Sequence, residues 1–478
     1  MAMLGKKARQ LCAVLIVTIL GIWCASCSHG TEPARQAFGD TAVGIFTPRD
    51  PINIGNRHSP NSWDALHSDI RQELMQQGFS ESAISHTSSS DIEEQSRELS
   101  SYVKAQDGSH KKKIIFIAPA QAESPLTKEY SPYAAQQEGN TGTAVLRRAL
   151  DKARSAGIRT VLFGNTVKGF TADIQVPMLT GRDVGRVQAK QLVSKLKLSE
   201  ASAKHPASIE ILLPLVKDNG FTKETFQGVW DILGPYYASG SVYSPSGLLT
   251  KNSSAEDWKN VTVDGSDQSS IADAVTARLA THDGRRHRRI NGILAVNDNT
   301  AAAVIKALGR MGYTGSSADI NPQISVGGVV RNLTGGTTVK RRPVPEPLVR
   351  DDNGADSPAD GSRNARETAD YPQWPIVTGF GAYLSSLPDI VNGKQWSTTF
   401  IDRKAYARDL AQICAFIAQD KSIGYIASAM KNVSEDSAES SGTTKSATLD
   451  EPLLTISASN MKTILIDKGY IKATDADL

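Results

Sequence analysis

The side chains that most often catalyse reactions or bind metals are scattered along this chain. No histidine lies at metal-ligand spacing from another, and no phosphate-binding glycine loop, zinc-protease motif or serine-nucleophile elbow occurs. The histidines concerned are His58, His67, His86, His110, His205 and His282. Three cysteines lie within the first thirty residues, and the fourth, Cys414, has the apolar neighbours typical of a buried side chain. We therefore expect no catalytic residue, no metal, no cofactor and no disulfide in the mature chain.

The elements that would position a binding site follow an alternating pattern. From about residue 41 to about residue 420, short β-rich runs alternate with amphipathic segments, which predicts an α/β protein. The predicted strands are Ala42–Phe46, Ile114–Ala118, Arg159–Phe163, Ser208–Leu213, Ile290–Val296, Gln323–Val326, Ile376–Thr378 and Thr398–Ile401. Ligands of open α/β sheets bind at the carboxyl ends of strands, so the long loops Pro48–Asn61 and Pro119–Gly142 are candidate binding loops.

Three helices have ends that the sequence defines. The first begins at residue 61 or 62, carries Leu66, Ile70 and Leu74 on one face, and ends at Gly78. The other two are Ala144–Ser155, followed by Gly157, and Asn299–Met311, followed by Gly312. Two tracts, residues 334–373 and 432–450, contain too few apolar residues to offset the entropy of ordering, and we predict that they are mobile insertions.

The first thirty residues predict export. A positive cluster at residues 6–9 precedes the apolar stretch Leu11–Trp23, which is shorter than the roughly 20 residues of a permanent membrane helix. We predict a signal peptide over residues 1–27 and a polar tether over residues 28–40. Ala25-Ser26-Cys27 resembles a lipoprotein processing site, so Cys27 is the predicted lipidation site on the extracytoplasmic face of the cell membrane. Cys24 stands where an aliphatic residue is usual, and secretion or a periplasmic location without lipid is the alternative.

Size and charge restrict the class of protein further. A chain of 478 residues exceeds the roughly 250–300 that one core supports, so two domains are expected. The net charge of +3 argues against a dedicated nucleic-acid binder, and the basic run at residues 285–289 is expected to be a solvated turn.

Several stretches resemble the periplasmic sugar-binding proteins of the ribose and xylose type, which serve ABC importers. The strongest is Ile293–Ala301, in which an apolar strand ends in Asn297-Asp298. The others are Ala156–Phe163, Asp218–Phe221 with Gly228, Pro375–Gly379, Ile390–Gln395 with Thr398-Thr399, and Asn460–Tyr470. Their order and spacing together are more specific than any one of them.

The resemblance implies the type I periplasmic-binding-protein fold, in which two similar doubly wound parallel-sheet lobes are joined by a three-stranded hinge. The expected crossings lie near Phe163–Asn165, Phe400–Asp402 and Leu453–Ile456. The first lobe would then comprise residues 41–164 and 403–454, including the insertion 432–450. The second would comprise residues 165–402 and 455–478, including the insertion 334–373.

The resemblance also implies a sugar site between the lobes. In the family, the asparagine at the position of Asn297 faces the sugar and the following aspartate begins a helix. The further candidates for ligand contact are Asn165, Asp218, Asn219, Gln121, Trp63, Phe380 and Arg49. Amide and charged groups would bind hydroxyls, and aromatic rings would cover an apolar face of the sugar. For Trp63, packing in the core is an equal alternative, and for Arg49 the alternative is simple exposure to solvent.

Three positions depart from the family pattern. Gly164-Asn165 stands where Asp-Arg is usual, Phe380-Gly381 stands where Gln-Asp is usual, and Ile401 replaces a lysine. Charge-assisted hydrogen bonds are the strong ones, so their loss should weaken or redirect binding of a simple pentose. Phe163 and Phe380 are expected to form an apolar or stacking wall instead.

The sequence therefore predicts a solute-binding protein that captures a sugar or a similar small polar solute and delivers it to the permease subunits of an ABC importer. We expect a monomer that catalyses nothing, contacts the membrane through its lipid and binds no nucleic acid. The alternatives are a ligand-sensing receptor for a membrane kinase or chemoreceptor, and a secreted carbohydrate-active enzyme. A DNA-binding repressor of the same fold is disfavoured by the leader.

Overall fold

The computed structural model describes residues 37–50, 59–105, 112–120, 130–134, 143–215, 220–281, 287–318, 349–350, 356–357, 373–435 and 446–472. The structural statements below concern these residues. The predicted leader with Cys27, the predicted tether up to residue 36 and the predicted strand Gln323–Val326 lie outside them.

Strands and helices alternate along most of this part of the chain. The strands are β1 (Thr41–Pro48), β2 (Ile84–Ser89), β3 (Lys112–Ile117), β4 (Arg159–Phe163), β5 (Ile174–Val176), β6 (Ala207–Ile211), β7 (Leu213–Leu215), β8 (Val242–Tyr243), β9 (Thr262–Asp264), β10 (Gly292–Leu294), β11 (Val349–Arg350), β12 (Asp356–Ser357), β13 (Ile376–Thr378), β14 (Ser397–Ile401), β15 (Val433–Glu435), β16 (Ala447–Leu449) and β17 (Leu453–Ser457). The helices are α1 (Trp63–Gln77), α2 (Ile92–Ala105), α3 (Thr143–Ser155), α4 (Gly181–Lys195), α5 (Gly220–Ser239), α6 (Gln268–Leu279), α7 (Asp298–Arg310), α8 (Leu387–Val391), α9 (Arg403–Ala418) and α10 (Ile423–Ala429).

Two large sheets organise the molecule. In the first, five parallel strands lie in the order β2-β1-β3-β4-β5. Beyond β5 the sheet continues with β16, which is parallel to β5, and with β15, which is antiparallel to β16. In the second, five parallel strands lie in the order β8-β6-β10-β13-β14, with β17 antiparallel beside β14. When the five are numbered within each sheet, both orders read 2-1-3-4-5, a doubly wound order. The prediction of two similar doubly wound parallel-sheet lobes is therefore confirmed.

Both faces of each sheet are buried, as parallel sheets require. In β3, Ile114 and Phe116 belong to one apolar cluster with residues of α1 and α9, whereas Ile115 and Ile117 belong to another with residues of α2 and α3. The second sheet shows the same alternation, since Leu294 packs with residues of α4 and α5 and Ile293 packs with residues of α6 and α7. We call each sheet with its covering helices a lobe.

The described part of the chain passes between the lobes three times. The first passage lies between Val176, the end of β5, and Gly181, the start of α4. The second lies between Ile401 and Arg403, and the third between Leu449 and Leu453. The predicted first crossing at residues 163–165, with its lobe boundary at 164, is therefore wrong, because β5 pairs with β4 and belongs to the first sheet. The third passage precedes the predicted residues 453–456, which lie in β17 of the second sheet.

The predicted insertions contain short strands that the sequence did not indicate. In residues 432–450, β15 pairs with β16, and β16 pairs with β5, because Val433, Ala447 and Leu449 are buried against the first lobe. In residues 334–373, β11 pairs with β12. That the two insertions are mobile stays a prediction.

The predicted helix ends are confirmed. Ser62 is the N-cap of α1 and its hydroxyl accepts a hydrogen bond from the backbone of Ala65, while Gly78 ends the helix with a φ of 99°. Such a left-handed residue after the last turn favours glycine. Cys414 is fully buried in α9, as its apolar neighbours predicted.

Helices α4 and α5 approach each other through glycines. A Cβ atom on Gly185 would lie 2.0 Å from the carbonyl oxygen of Thr225, and one on Gly228 would lie 2.1 Å from that of Arg182. The obstacles are backbone atoms on both sides, so the two helices contact each other without side chains between them. This contact holds α4, the helix that follows the first crossing, in the second lobe.

Candidate functional site

The carboxyl ends of the two parallel sheets face each other. The ring of Tyr130, which follows β3 of the first lobe, lies 4.8 Å from that of Phe221 and 6.3 Å from that of Phe380, both in the second lobe. Ser59, between β1 and α1, donates a hydrogen bond from its hydroxyl to the carbonyl oxygen of Gly381 at 3.2 Å. The region between these ends is therefore the place where a ligand of this fold is expected.

The first lobe contributes a group of packed rings. Trp63 is the first residue of α1, and its ring lies 4.8 Å from Tyr133 in an edge contact and 6.0 Å from Phe163. Only 4% of Trp63 is exposed, and a Cβ atom on Gly164 would lie 3.5 Å from its ring. Trp63 thus packs within its lobe, and the alternative of core packing describes its contacts.

The second lobe contributes a strained turn after β10. Val296 has a φ of 46°, a conformation that β-branched residues rarely adopt. Its carbonyl oxygen accepts a hydrogen bond from the Gln188 amide at 2.7 Å, and this contact holds the turn to α4. Asn297 follows and is the N-cap of α7, because its Oδ1 accepts a hydrogen bond from the backbone of Thr300 at 2.8 Å. Asn297 is therefore a structural residue as well as a candidate ligand contact.

Asp298, the next residue, holds this turn to neighbouring segments through hydrogen bonds. Its carboxylate accepts hydrogen bonds from Gln395 at 2.7 Å and from Thr398 at 2.8 Å. It also accepts them from the backbone of Tyr383 at 3.1 Å and from the hydroxyl of Ser386 at 3.0 Å. Burial raises the pKa of this carboxyl above its ordinary value, and the hydrogen bonds act in the opposite direction. Asp298 therefore joins the start of α7 to β14 and to the turn after β13.

That turn carries Phe380, which is fully buried. Its carbonyl oxygen accepts a hydrogen bond from the backbone of Asp298 at 3.0 Å, so the two turns of the second lobe are joined directly. Gly381 and Ala382 have φ values of 120° and 51°. Phe163 in the first lobe and Phe380 in the second are both fully buried, and the apolar wall of a ligand site stays a prediction.

The structure corrects the placement of Arg49. Its guanidinium pairs with the carboxylate of Glu94 at 3.2 Å, and its side chain is 54% exposed. The cause is β2, which the sequence analysis missed: the backbone of Arg49 donates to Ser89 and continues the β1–β2 pairing towards α2. Asp50 in the same loop is engaged as well, because its carboxylate accepts hydrogen bonds from the backbones of Trp63 and Asp64 at 2.8 Å each.

The remaining candidates divide into two groups. Asn165 lies half-buried just after β4, at the carboxyl edge of the first sheet. Gln121, Asp218, Asn219 and Cys27 lie outside the described residues. Sequence reasoning missed Tyr130 and Tyr133, although two tyrosines within a polar loop at the carboxyl end of a strand were a signal that it could have used.

Two carboxyl groups lie close together at the third crossing, one from the crossing itself and one from α9. Asn432 donates from its amide to the carboxylate of Asp409 at 2.6 Å and also to that of Glu451. Burial, followed by the hydrogen bond to Asp409 and the charge of that group, raises the pKa of Glu451 to about 8. Glu451 lies between β16 and β17, so this cluster joins a helix of the first lobe to the passage between the lobes.

Glu451→Gln is expected to flatten the pH dependence of stability. Folded Glu451 keeps its proton where the unfolded carboxyl, with a pKa near 4.5, has lost it. Its contribution is therefore fully present below about pH 4.5 and is lost as the pH rises through about 8. Melting temperatures between pH 4.5 and 9 should show the wild type losing stability relative to the Gln variant. Glu98→Gln, at an exposed position of α2, is the control, and parallel curves for wild type and Glu451→Gln would contradict the raised pKa of Glu451.

The described residues contain neither a membrane-spanning helix nor a cluster of metal ligands. None of their helices is long and apolar enough to cross a membrane. Within the same ranges, no three His, Cys, Asp or Glu side chains are grouped so that they could hold a metal ion.

Comparison with known proteins gives similar structures but no similar sequences. No family model and no curated protein matches the chain. An ABC transporter solute-binding protein from Clostridium phytofermentans with bound β-D-glucose is 17% identical with a TM-score of 0.49, covering 91% of this chain and 99% of its own. A carbohydrate transporter solute-binding protein from Chloroflexus aurantiacus, in complex with D-glucose, is 18% identical with a TM-score of 0.48, covering 91% and 98%. An arabinose-binding protein from Geobacillus stearothermophilus is 11% identical with a TM-score of 0.47, covering 89% and 99%. At such identities and TM-scores, a function has to be argued from the residues of this chain.

Proposed function

We propose that the protein is an extracytoplasmic solute-binding protein, which captures a sugar or a similar small polar solute between its lobes and delivers it to an ABC importer. The observation that carries this proposal is that the carboxyl ends of two sheets with the same doubly wound strand order meet at one interface. Ligands of doubly wound sheets bind at such ends, and a site shared by two lobes can close around its ligand.

The residues at the interface support a neutral polar ligand with an apolar ring face. Aromatic rings and the side chains of Asn165 and Asn297 lie there, and the carboxylates of Asp50 and Asp298 accept hydrogen bonds within their own lobes. The sugar-binding motifs of the sequence support a carbohydrate. The leader and Cys27 support an exported, lipid-anchored chain that meets the membrane subunits of an importer.

Binding of a small ligand is expected to stabilise the purified protein. At a ligand concentration of about 100 times Kd, the free energy of unfolding should rise by about 2.7 kcal/mol. Thermal melting with a panel of monosaccharides, short oligosaccharides, polyols and nucleosides measures this effect. A melting temperature that no compound raises would count heavily against a transport receptor, and turnover of a glycan would show an enzyme instead.

Two variants of Asn297 are expected to separate ligand contact from helix capping. Asn297→Ala removes both the cap and the amide, so it should lower the stability of the unliganded protein by about 1 kcal/mol and weaken binding. Asn297→Ser keeps a capping oxygen for the backbone of Thr300 but lacks the amide. It should therefore melt like the wild type without ligand and bind about ten-fold more weakly. Wild-type affinity in the Ser variant would mean that Asn297 is only a cap.

A further inference from the structure

The segment of residues 130–134 lies between the two lobes, and we call it the inter-lobe segment. Its tyrosines, Tyr130 and Tyr133, are each 1% exposed, and Ser131 and Ala134 are each 3% exposed. Such burial is unusual for a stretch outside helices and strands, since connecting segments run over the surface. The segment therefore belongs to the interior of the interface.

Tyr133 anchors the inter-lobe segment to the first lobe. Its ring packs edge-on against Trp63 at 4.8 Å, and its hydroxyl donates a hydrogen bond to the carbonyl oxygen of Ser62. Both partners belong to the start of α1. One tyrosine of the segment is thus held by the first lobe alone.

Tyr130 contacts the second lobe instead. Its ring lies against Phe221 at the start of α5, at 4.8 Å, and against Phe380 after β13, at 6.3 Å. Its carbonyl oxygen would lie 3.3 Å from a Cβ atom on Gly381, so the backbone of the segment also approaches this turn closely. Tyr130 therefore places a ring from one lobe on the aromatic surface of the other.

This placement has a consequence for any ligand with a ring. Phe380 is fully buried and Phe221 is 3% exposed, and Tyr130 is in contact with both. Aromatic contacts of this geometry contribute attraction beyond the area that they bury. A ligand ring that stacked on Phe221 and Phe380 would need the surface that Tyr130 covers.

We infer that Tyr130 is an internal occupant of the ring-binding surface of the second lobe: it holds the lobes together and leaves that surface when a ligand ring binds there. The part of this inference that concerns a ligand rests on the proposed function. The part that concerns the contact between the lobes does not. Tyr130 is thereby a residue that determines ligand size, because it limits how much of the surface a ligand reaches.

Lobe closure tests the first half of the inference without any ligand. Small-angle X-ray scattering of Tyr130→Ala should give a larger radius of gyration than the wild type, because a contact between the lobes is lost. Tyr102→Ala is the matched control, since Tyr102 makes an edge contact with Phe46 inside the first lobe at 5.5 Å. Tyr130→Leu, which keeps an apolar side chain without the ring, serves if the alanine variant does not fold. An unchanged radius of gyration in a folded Tyr130 variant would overturn the inference.

Binding of two glycosides tests the second half. The ratio of the Kd of methyl β-D-glucopyranoside to that of phenyl β-D-glucopyranoside should be about ten-fold larger in Tyr130→Ala than in the wild type, because the phenyl ring gains the uncovered surface. Equal ratios in the two proteins would overturn the inference and leave the proposed function intact. Failure of both glycosides and of the whole sugar panel to bind either protein would count against the proposed function, while the scattering result would still decide whether Tyr130 holds the lobes together.

Discussion

Gly185→Ala is expected to lower the free energy of unfolding by about 3 kcal/mol, one of the two largest effects that we predict. The new methyl group would lie 2.0 Å from the carbonyl oxygen of Thr225 and 2.7 Å from the backbone nitrogen of Val229. Backbone atoms cannot turn away as a flexible side chain can, so α4 and α5 would have to separate. Urea unfolding of wild type and variant measures the loss.

Gly309→Ala is the control for this prediction. Gly309 is also helical and lies in α7, but a Cβ atom there would meet nothing within 4 Å. The same chemical change should therefore raise the free energy of unfolding by about 0.5–1 kcal/mol through the better helix propensity of alanine. Equal effects of the two substitutions would contradict the close glycine contact between α4 and α5.

Asp298→Ala is expected to cost about 3–4 kcal/mol of stability. The carboxylate accepts hydrogen bonds from four groups, two in the turn after β13 and two in or just before β14. Asp298 is 3% exposed, so its removal leaves buried donors without a partner. Asp298→Asn, which keeps one acceptor oxygen, should lose less. Chemical denaturation followed by circular dichroism measures the series.

An exposed aspartate provides the comparison for Asp298. Asp273 lies on the exposed face of α6, and Asp273→Ala should change the free energy of unfolding by no more than about 0.5 kcal/mol. If Asp298→Ala behaved like Asp273→Ala, the hydrogen bonds that join α7 through Asp298 to β14 and to the turn after β13 would not contribute to stability.

Strands and helices with a clear apolar pattern could be predicted from the sequence, whereas short or polar strands could not. Strands such as β3 and β4 end in apolar runs of three or four residues, and α1 shows its buried face and both of its ends in the order of its residues. In contrast, β2 reads Ile-Ser-His-Thr-Ser-Ser and owes its place to pairing with β1 at the edge of the sheet. β5 and β16 have three residues each, and β16 reaches its place beside β5 across a long separation in sequence, which no local pattern indicates.

The candidate site was predictable in its location but not in its contacts. The turn at Asn297 and the aromatic position Phe380 follow strands of the second sheet, and that is visible in the order of residues. The φ of 46° at Val296 was not predictable, since a β-branched residue adopts it only when surrounding contacts such as the Gln188 hydrogen bond impose it. The contact of Tyr130 with the other lobe depends on tertiary packing, which no local pattern encodes.

The pairing of β16 with β5 affects how the protein can be made. Ala447 lies beside Ile174, although most strands of the second sheet are between them in the chain. During synthesis, β5 therefore presents an unpaired edge until residues close to the end of the described chain emerge. No continuous fragment that ends before β16 can complete the first lobe, so truncated chains should be prone to edge-to-edge aggregation. The two lobes of this protein are separate bodies in space but a single unit of biosynthesis.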